Sequence, residues 1–294
     1  MHDSWNLAWK LNLAVRGLAR PSLLQTYEAE RRKIAQDLIS FDYEHANAFA
    51  AGDPIALAKN FDQNVAFISG FGVNYNSNCL NAALTPKDLA RGGALRPGCL
   101  LPPAKVMRYI DANPVDIQLD IPMLGQFRIY MFVADVIQAK PFLDSFCGRL
   151  SDPTSFLGRL TTVSDRSHTV RRPAITEIDT FIQPGRYTAA SSLFTFAMVT
   201  PTSKSAFEID DLPELLQQSR WTLYLDDCPS QDTRGQTCTQ KWLGNLGLDE
   251  ISILNVRPDG YAGGMQSWNV NDPQAGSEAG AWVEDYYSAF LCDE

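Results

Sequence analysis

The chain has 294 residues, of which 45% are hydrophobic and 20% charged, and its net charge is -9. These values suit one large or two ordinary globular domains, and an acidic surface repels phosphate backbones, which argues against a nucleic-acid partner. The sequence contains no apolar run of the ~18 residues that a membrane helix needs. Met1-His2-Asp3-Ser4 has no basic stretch ahead of an apolar one, so no secretory signal is expected.

In chain order, Asp3 to Leu18 reads as a helix with Asp3 or Ser4 as its cap. Trp5, Leu7, Trp9, Leu11, Leu13, Val15 and Leu18 cover most of its circumference, so it should be buried on several sides by something outside the segment. Arg20-Pro21 breaks it. Ser22-Leu23-Leu24-Gln25 has the form of a capping box, opening a second helix to about Phe49. Leu23, Leu24, Tyr27, Ile34, Leu38, Ile39 and Phe41 supply its stripe, and Glu28 and Arg32 can pair. Ile55 to Ile68 reads as a third helix, and the Gly- and Pro-rich residues 70–104 as a connecting segment.

After that segment the period changes. Val115, Ile117, Leu119 and Ile121 alternate with polar residues, as in a strand with one wet face, and Phe127 to Ala134 is a buried strand. A helix is expected over Pro141–Leu150. Strands are expected over Phe194–Val199, Trp221–Leu225 and Ile251–Val256, and further helices over Thr239–Leu246 and Ala281–Leu291. Strands alternating with helices predict an α/β sandwich on a mixed sheet.

Several stretches resemble the flavin-dependent aromatic hydroxylases of the phenol 2-monooxygenase type. Asp3-Ser4-Trp5-Asn6-Leu7-Ala8-Trp9-Lys10-Leu11 and Leu24-Gln25-Thr26-Tyr27-Glu28-Ala29-Glu30-Arg31 resemble the end of that family's flavin domain. Arg96-Pro97-Gly98, Phe127-Arg128-Ile129, Asp226-Asp227 and Arg257-Pro258-Asp259-Gly260-Tyr261 resemble its C-terminal domain. The resemblance implies the helical tail of an FAD and substrate domain (residues 1–70), a linker (71–104) and a thioredoxin-like α/β dimerisation domain (105–294). It implies FAD as cofactor, NADPH as co-substrate, O2 as oxidant and a phenolic ring as substrate. It also implies a homodimer in the cytoplasm with neither nucleic acid nor membrane as partner. The G-x-G-x-x-G loop that cradles the FAD pyrophosphate does not occur in the sequence. The chain is therefore expected to be a C-terminal portion, inactive alone, with the missing half upstream of Met1. A rival reading is a non-catalytic thioredoxin-like association module.

The resemblance places Met1, His2 and Asp3 against the flavin, where a helix N-terminus would stabilise negative charge on the ring. For Asn6, Trp9 and Lys10 a structural role is expected, as it is for the neighbours Tyr27, Glu28 and Arg31. No catalytic residue is expected within the chain. His2, His45 and His168 are too dispersed for a metal site. Cys228 and Cys238 lie ten residues apart and lack the C-x-x-C of a redox thioredoxin, so free thiols are expected. Ser167 to Arg172 reads as a solvated basic loop, and Pro258-Asp259-Gly260 as a turn with Tyr261 packing at the start of the next strand.

Overall fold

The computed structural model describes residues 2–167 and 177–293. The first helix, α1 (His2–Val15), is followed by the long α2 (Pro21–Ala50), α3 (Pro54–Ile68) and the short α4 (Pro86–Ala90). Proline opens each of the last three, at a position whose missing N–H costs no hydrogen bond. The Asp53 carboxylate caps α3 by accepting from the Ile55 and Ala56 amides, and Thr85 caps α4 by accepting from Asp88. The capping box expected at Ser22 does not form. Pro21 starts α2 two residues earlier, with Arg20 in place of Ser22 at the cap, and the Ser22 hydroxyl instead donates to the Ala289 carbonyl.

The sheet has seven strands in the order β2-β1-β5-β4-β3-β6-β7. The short β1 (Lys105–Arg108) and β2 (Pro114–Asp116) form an edge hairpin, followed by the single turn α5 (Ile117–Asp120). The buried central strand β3 (Phe127–Val133) leads through α6 (Lys140–Ser151), α7 (Phe156–Arg166) and α8 (Glu177–Ile182) to β4 (Phe194–Thr200). The α9 turn (Glu214–Gln218), β5 (Leu223–Leu225) and α10 (Cys238–Trp242) precede the closing β6 (Glu250–Val256), β7 (Ala262–Asn269) and α11 (Ala275–Ser288).

Strand β4 is parallel to β3, while β6 is antiparallel to β3 and forms a hairpin with β7. Side chains from α6, α7 and α11 pack with Ile129 and Met131 on one face; α10 packs with Tyr130 and Phe132 on the other. The order β3-α6-β4-α10-β6-β7-α11 is the expected thioredoxin-like arrangement, with β5, β1 and β2 extending the sheet past β4.

Two expectations change at the elements themselves. The alternating run Val115–Ile121 is not one strand: β2 ends at Asp116 and a helical turn follows. Ile117 and Ile121 are buried while Leu119 between them is exposed, which fits a four-residue helical spacing and breaks the strand period. Strand β1 was not expected, while β7 is the strand that follows the Pro258-Asp259-Gly260 turn. A Cβ on Gly263 would lie 1.9 Å from the Tyr286 hydroxyl, so only glycine lets α11 approach that closely.

Part of the apolar α1 is covered from within the chain. Trp9, Leu13 and the following Leu18 enter the core beneath the sheet, where the Trp9 ring meets Phe127 edge-on at 5.6 Å between centroids. Trp5, Leu11 and Val15 face outward, Val15 at 86% exposure. The Gly- and Pro-rich residues 71–104 lie packed on the sheet: Leu80, Leu95 and Leu101 are buried, and the Ala82 and Gly98 amides donate to the Gly263 and Ala262 carbonyls. Within Arg96-Pro97-Gly98, Gly98 takes φ +83, and a Cβ there would meet the Tyr75 carbonyl at 2.3 Å.

Candidate functional site at the end of the first helix

The buried face of α1 carries Asn6, Trp9, Lys10 and Leu13, and that of α2 carries Leu23, Thr26, Glu30 and Ile34. Both sets follow helical spacing, so Lys10 and Glu30 occupy positions where the stripe calls for apolar residues. They meet there. Lys10 Nζ donates to Glu30 Oε2 at 2.9 Å and to Asn6 Oδ1 at 2.8 Å, and Asn6 Nδ2 donates to Glu30 Oε2 at 2.8 Å.

The turn between β6 and β7 supplies the rest of this cluster. Arg257 is fully buried and uses all five of its N–H donors. It grips Glu30 through Nη1 and Nη2 at 2.6 and 3.0 Å, Asp259 through Nε and Nη2 at 3.0 and 2.7 Å, and Asn81 Oδ1 through Nη1 at 3.0 Å. Trp9, Tyr75 and Tyr261 surround the guanidinium, with ring centroids 5.7, 5.2 and 5.3 Å from Cζ. The two cations and two carboxylates balance, which is the condition for burying them at all.

Electrostatics follow from that balance. Burial would raise the Glu30 carboxyl, but the charge and hydrogen bonds of Arg257 override it and hold it down at about 2. Burial pulls the Lys10 ammonium down to about 8 against the opposing pull of Glu30. For Arg257 burial works against the charged form, yet Asp259 and Glu30 shift the guanidinium upward.

Beside the first turn of α1 lies an apolar cleft of about 200 Å³. Trp5, Phe71, Tyr75, Tyr261, Leu119 and Met123 line it, with His2 and Asn6 at its helix end. Of the residues expected to meet a flavin, Met1 lies outside the described residues. His2 is on the cleft, against Gly70, whose Cβ would meet its Nε2 at 3.3 Å. Asp3 is within the first turn of the helix and forms an ion pair with Arg31. Arg31 Nη1 also donates to the Tyr75 hydroxyl at 3.2 Å, and Tyr75 packs on Tyr261 with centroids 4.6 Å apart.

These residues fit one edge of a flavin ring and not a whole dinucleotide. The first backbone N–H groups of α1 have no intrahelical acceptor, and the aromatic walls suit a planar ring. The cleft is smaller than the ~300 Å³ at which sites for drug-sized ligands begin. The described residues offer no glycine-rich strand-to-helix turn for a pyrophosphate.

The remaining candidates settle into structural roles. Glu28 and Arg32 pair on an exposed face of α2, and Tyr261 packs after its turn as expected. Cys228 and Cys238 are both buried free thiols. Burial raises each thiol, to about 11 at Cys228 and well above its ordinary value at Cys238, so neither is poised as a thiolate. Asp226 instead caps α10, accepting from the Cys238 and Thr239 amides at 2.7 and 2.8 Å. Among the described residues no group of three or more His, Cys, Asp or Glu could hold a metal ion. The basic stretch, including His168, lies outside the described residues apart from Ser167, which hydrogen-bonds to Arg16.

Sheet and site together define a thioredoxin-like α/β protein locked by buried ion pairs to a helical arm. Residues 73–293 match the family described as phenol hydroxylase, C-terminal dimerisation domain, and residues 1–42 match an FAD binding domain. The chain belongs to the first of these families, whose members are flavin-dependent aromatic hydroxylases.

Similar proteins include 3-hydroxybenzoate 4-monooxygenase of Comamonas testosteroni, 29% identical over 278 residues, covering 89% of this chain and 39% of the relative. The FAD-dependent monooxygenase ankC of Aspergillus thermomutatus is 27% identical, covering 90% of this chain and 40% of the relative. The chain thus spans about two-fifths of the length of these relatives. Among solved structures, the flavin-dependent monooxygenase PieE in complex with FAD and substrate matches with a TM-score of 0.47 and 16% identity, covering 97% of this chain and 43% of that one.

Proposed function

We propose that this chain is the C-terminal portion of a flavin-dependent monooxygenase that hydroxylates phenolic rings with NADPH and O2. Residues 1–70 form the helical tail of the FAD and substrate domain, 71–104 the linker, and 105–294 the dimerisation domain. The observation that carries the reading is the family membership of residues 73–293 together with an FAD-domain match over α1 and most of α2. The flavin supplies the redox chemistry when bound. The residues of this chain contribute the first-turn amides of His2 and Asp3, with Met1 preceding them in the sequence, toward the pyrimidine edge of the ring, and an aromatic cleft that keeps water from its flank. The substrate is a small phenol, the assembly a homodimer through the thioredoxin-like domain, and the location cytoplasmic; no helix among the described residues is long and apolar enough to cross a membrane.

By itself the 294-residue chain binds FAD weakly or not at all and does not hydroxylate. It lacks the loop whose amides would meet the pyrophosphate, and its net charge of -9 disfavours a dianion. The test is a titration of the purified chain with FAD, followed by flavin fluorescence, with NADPH oxidation assayed in the presence of phenol. Micromolar binding or phenol-coupled oxidation would sink this reading of the isolated chain. A non-catalytic association module is the second reading, and a sequence without the G-x-G-x-x-G motif fits both. The transcript upstream of Met1 separates the two, since only the first requires that motif there.

A further inference from the structure

We propose that Arg257 is a positioning residue: the β6–β7 turn sets the place and rotation of the first turn of α1, so the thioredoxin-like domain shapes the segment read above as facing the flavin. The flavin part of this inference rests on the proposed function; the positioning itself does not.

Two separate chains of contact connect the turn to the start of α1. Asn6 is held by Glu30, and Glu30 by the fork of Arg257, which Asp259 anchors from the other side. Asp3 is held by Arg31, Arg31 by the Tyr75 hydroxyl, and Tyr75 by the ring of Tyr261. Both begin within the five residues Arg257 to Tyr261 and end within the first five residues of α1. The Trp9 and Leu13 contacts alone would hold the helix to the sheet, but apolar packing tolerates sliding and rotation. The charged cluster does not. Glu30 must meet Arg257, Lys10 and Asn6 together, and a small rotation of α1 would leave a buried carboxylate or ammonium short of partners. Lysine at 257 would keep the charge but offer three donors in place of a five-donor planar fork.

The test compares the 294-residue chain with its Arg257→Lys and Val283→Ala variants. Val283 is buried on α11 and takes no part in the cluster, so it controls for general destabilisation. Backbone hydrogen exchange is read at residues 3–10 and in β3 and β4. We expect Arg257→Lys to lower protection at residues 3–10 by about tenfold relative to the strands, a typical coupling between sites, and Val283→Ala to change both regions in step. Equal changes in both regions for Arg257→Lys, or none at residues 3–10, would overturn the proposal. A second arm titrates lumiflavin, the ring without phosphates, by its fluorescence. Wild-type binding that Arg257→Lys weakens about tenfold supports the flavin part. Binding left unchanged by Arg257→Lys overturns that part. Wild type without binding overturns the flavin reading of α1, while the exchange arm still decides the positioning.

Discussion

Glu30 is held by four donors from three side chains: Arg257 through two nitrogens, Lys10 and Asn6, with Asn78 and Asn81 adding amide contacts. Removing its charge would leave two buried cations facing each other. Glu30→Gln is therefore expected to lower the unfolding free energy by about 3–5 kcal/mol, the usual result of breaking a buried pair, measured by urea denaturation at pH 7. The same residue shapes the acid limb. Its folded carboxyl sits at about 2, below the ordinary 4.5 of the unfolded chain, so the unfolded state binds more protons between those values. The stabilisation is complete above about pH 4.5 and is lost as pH falls toward 2; Glu30→Gln should flatten the urea midpoint across that window. An unchanged acid slope in the variant would assign the loss elsewhere. The buried thiols give a second check: Cys147, Cys228 and Cys238 should stay unmodified by a thiol reagent until the protein unfolds, while the partly exposed Cys79, Cys99 and Cys292 are open to attack.

At the level of elements, α1 shows how one helix divides its apolar residues between core and surface. Trp9 packs among Phe127, Arg257 and Lys10, whereas Val15 points away. Trp9→Ala should cost about 3–5 kcal/mol through lost burial and a residual cavity, and Val15→Ser should stay within about 0.5 kcal/mol of wild type. Equal effects in thermal unfolding would mean that α1 does not dock as described. The stripe of α2 shows the same division. Leu38 and Ile39, expected on its buried side, are exposed, while Thr26 and Glu30 are buried. The spacing of residues 23, 26, 30 and 34 carries the buried stripe, but a glutamate is buried only when paired, and its partner Arg257 lies far away in the sequence.

Across the whole molecule, the α2–α3 arm carries exposed Tyr43, Phe49, Ile55, Phe61 and Val65. These residues fall between the two family matches, which end at 42 and resume at 73. Exposed apolar surface of this kind favours association, as does membership in a dimerisation-domain family. Sedimentation at micromolar concentration is expected to show a dimer; a soluble monomer would count against the homodimer in the proposed function.

The sequence by itself determined the central elements: the apolar β3, β4 and β6, the Pro-started helices, and the thiols without redox spacing. Those features are local, since periodicity and backbone chemistry act over a few residues. It also held the family motifs, including Arg257 to Tyr261, but there Arg257 read only as part of a turn. What the tertiary structure decided was the partner of each buried charge. Arg257 and Glu30 are 227 residues apart, and no local pattern joins them. Their juxtaposition arises because the β6–β7 hairpin ends over the face of α2 to which α1 also docks. Only that packing turns a turn residue, a helix-stripe glutamate and a helix lysine into one neutral, fully bonded cluster, because only in a water-free contact must each charge find its counterpart.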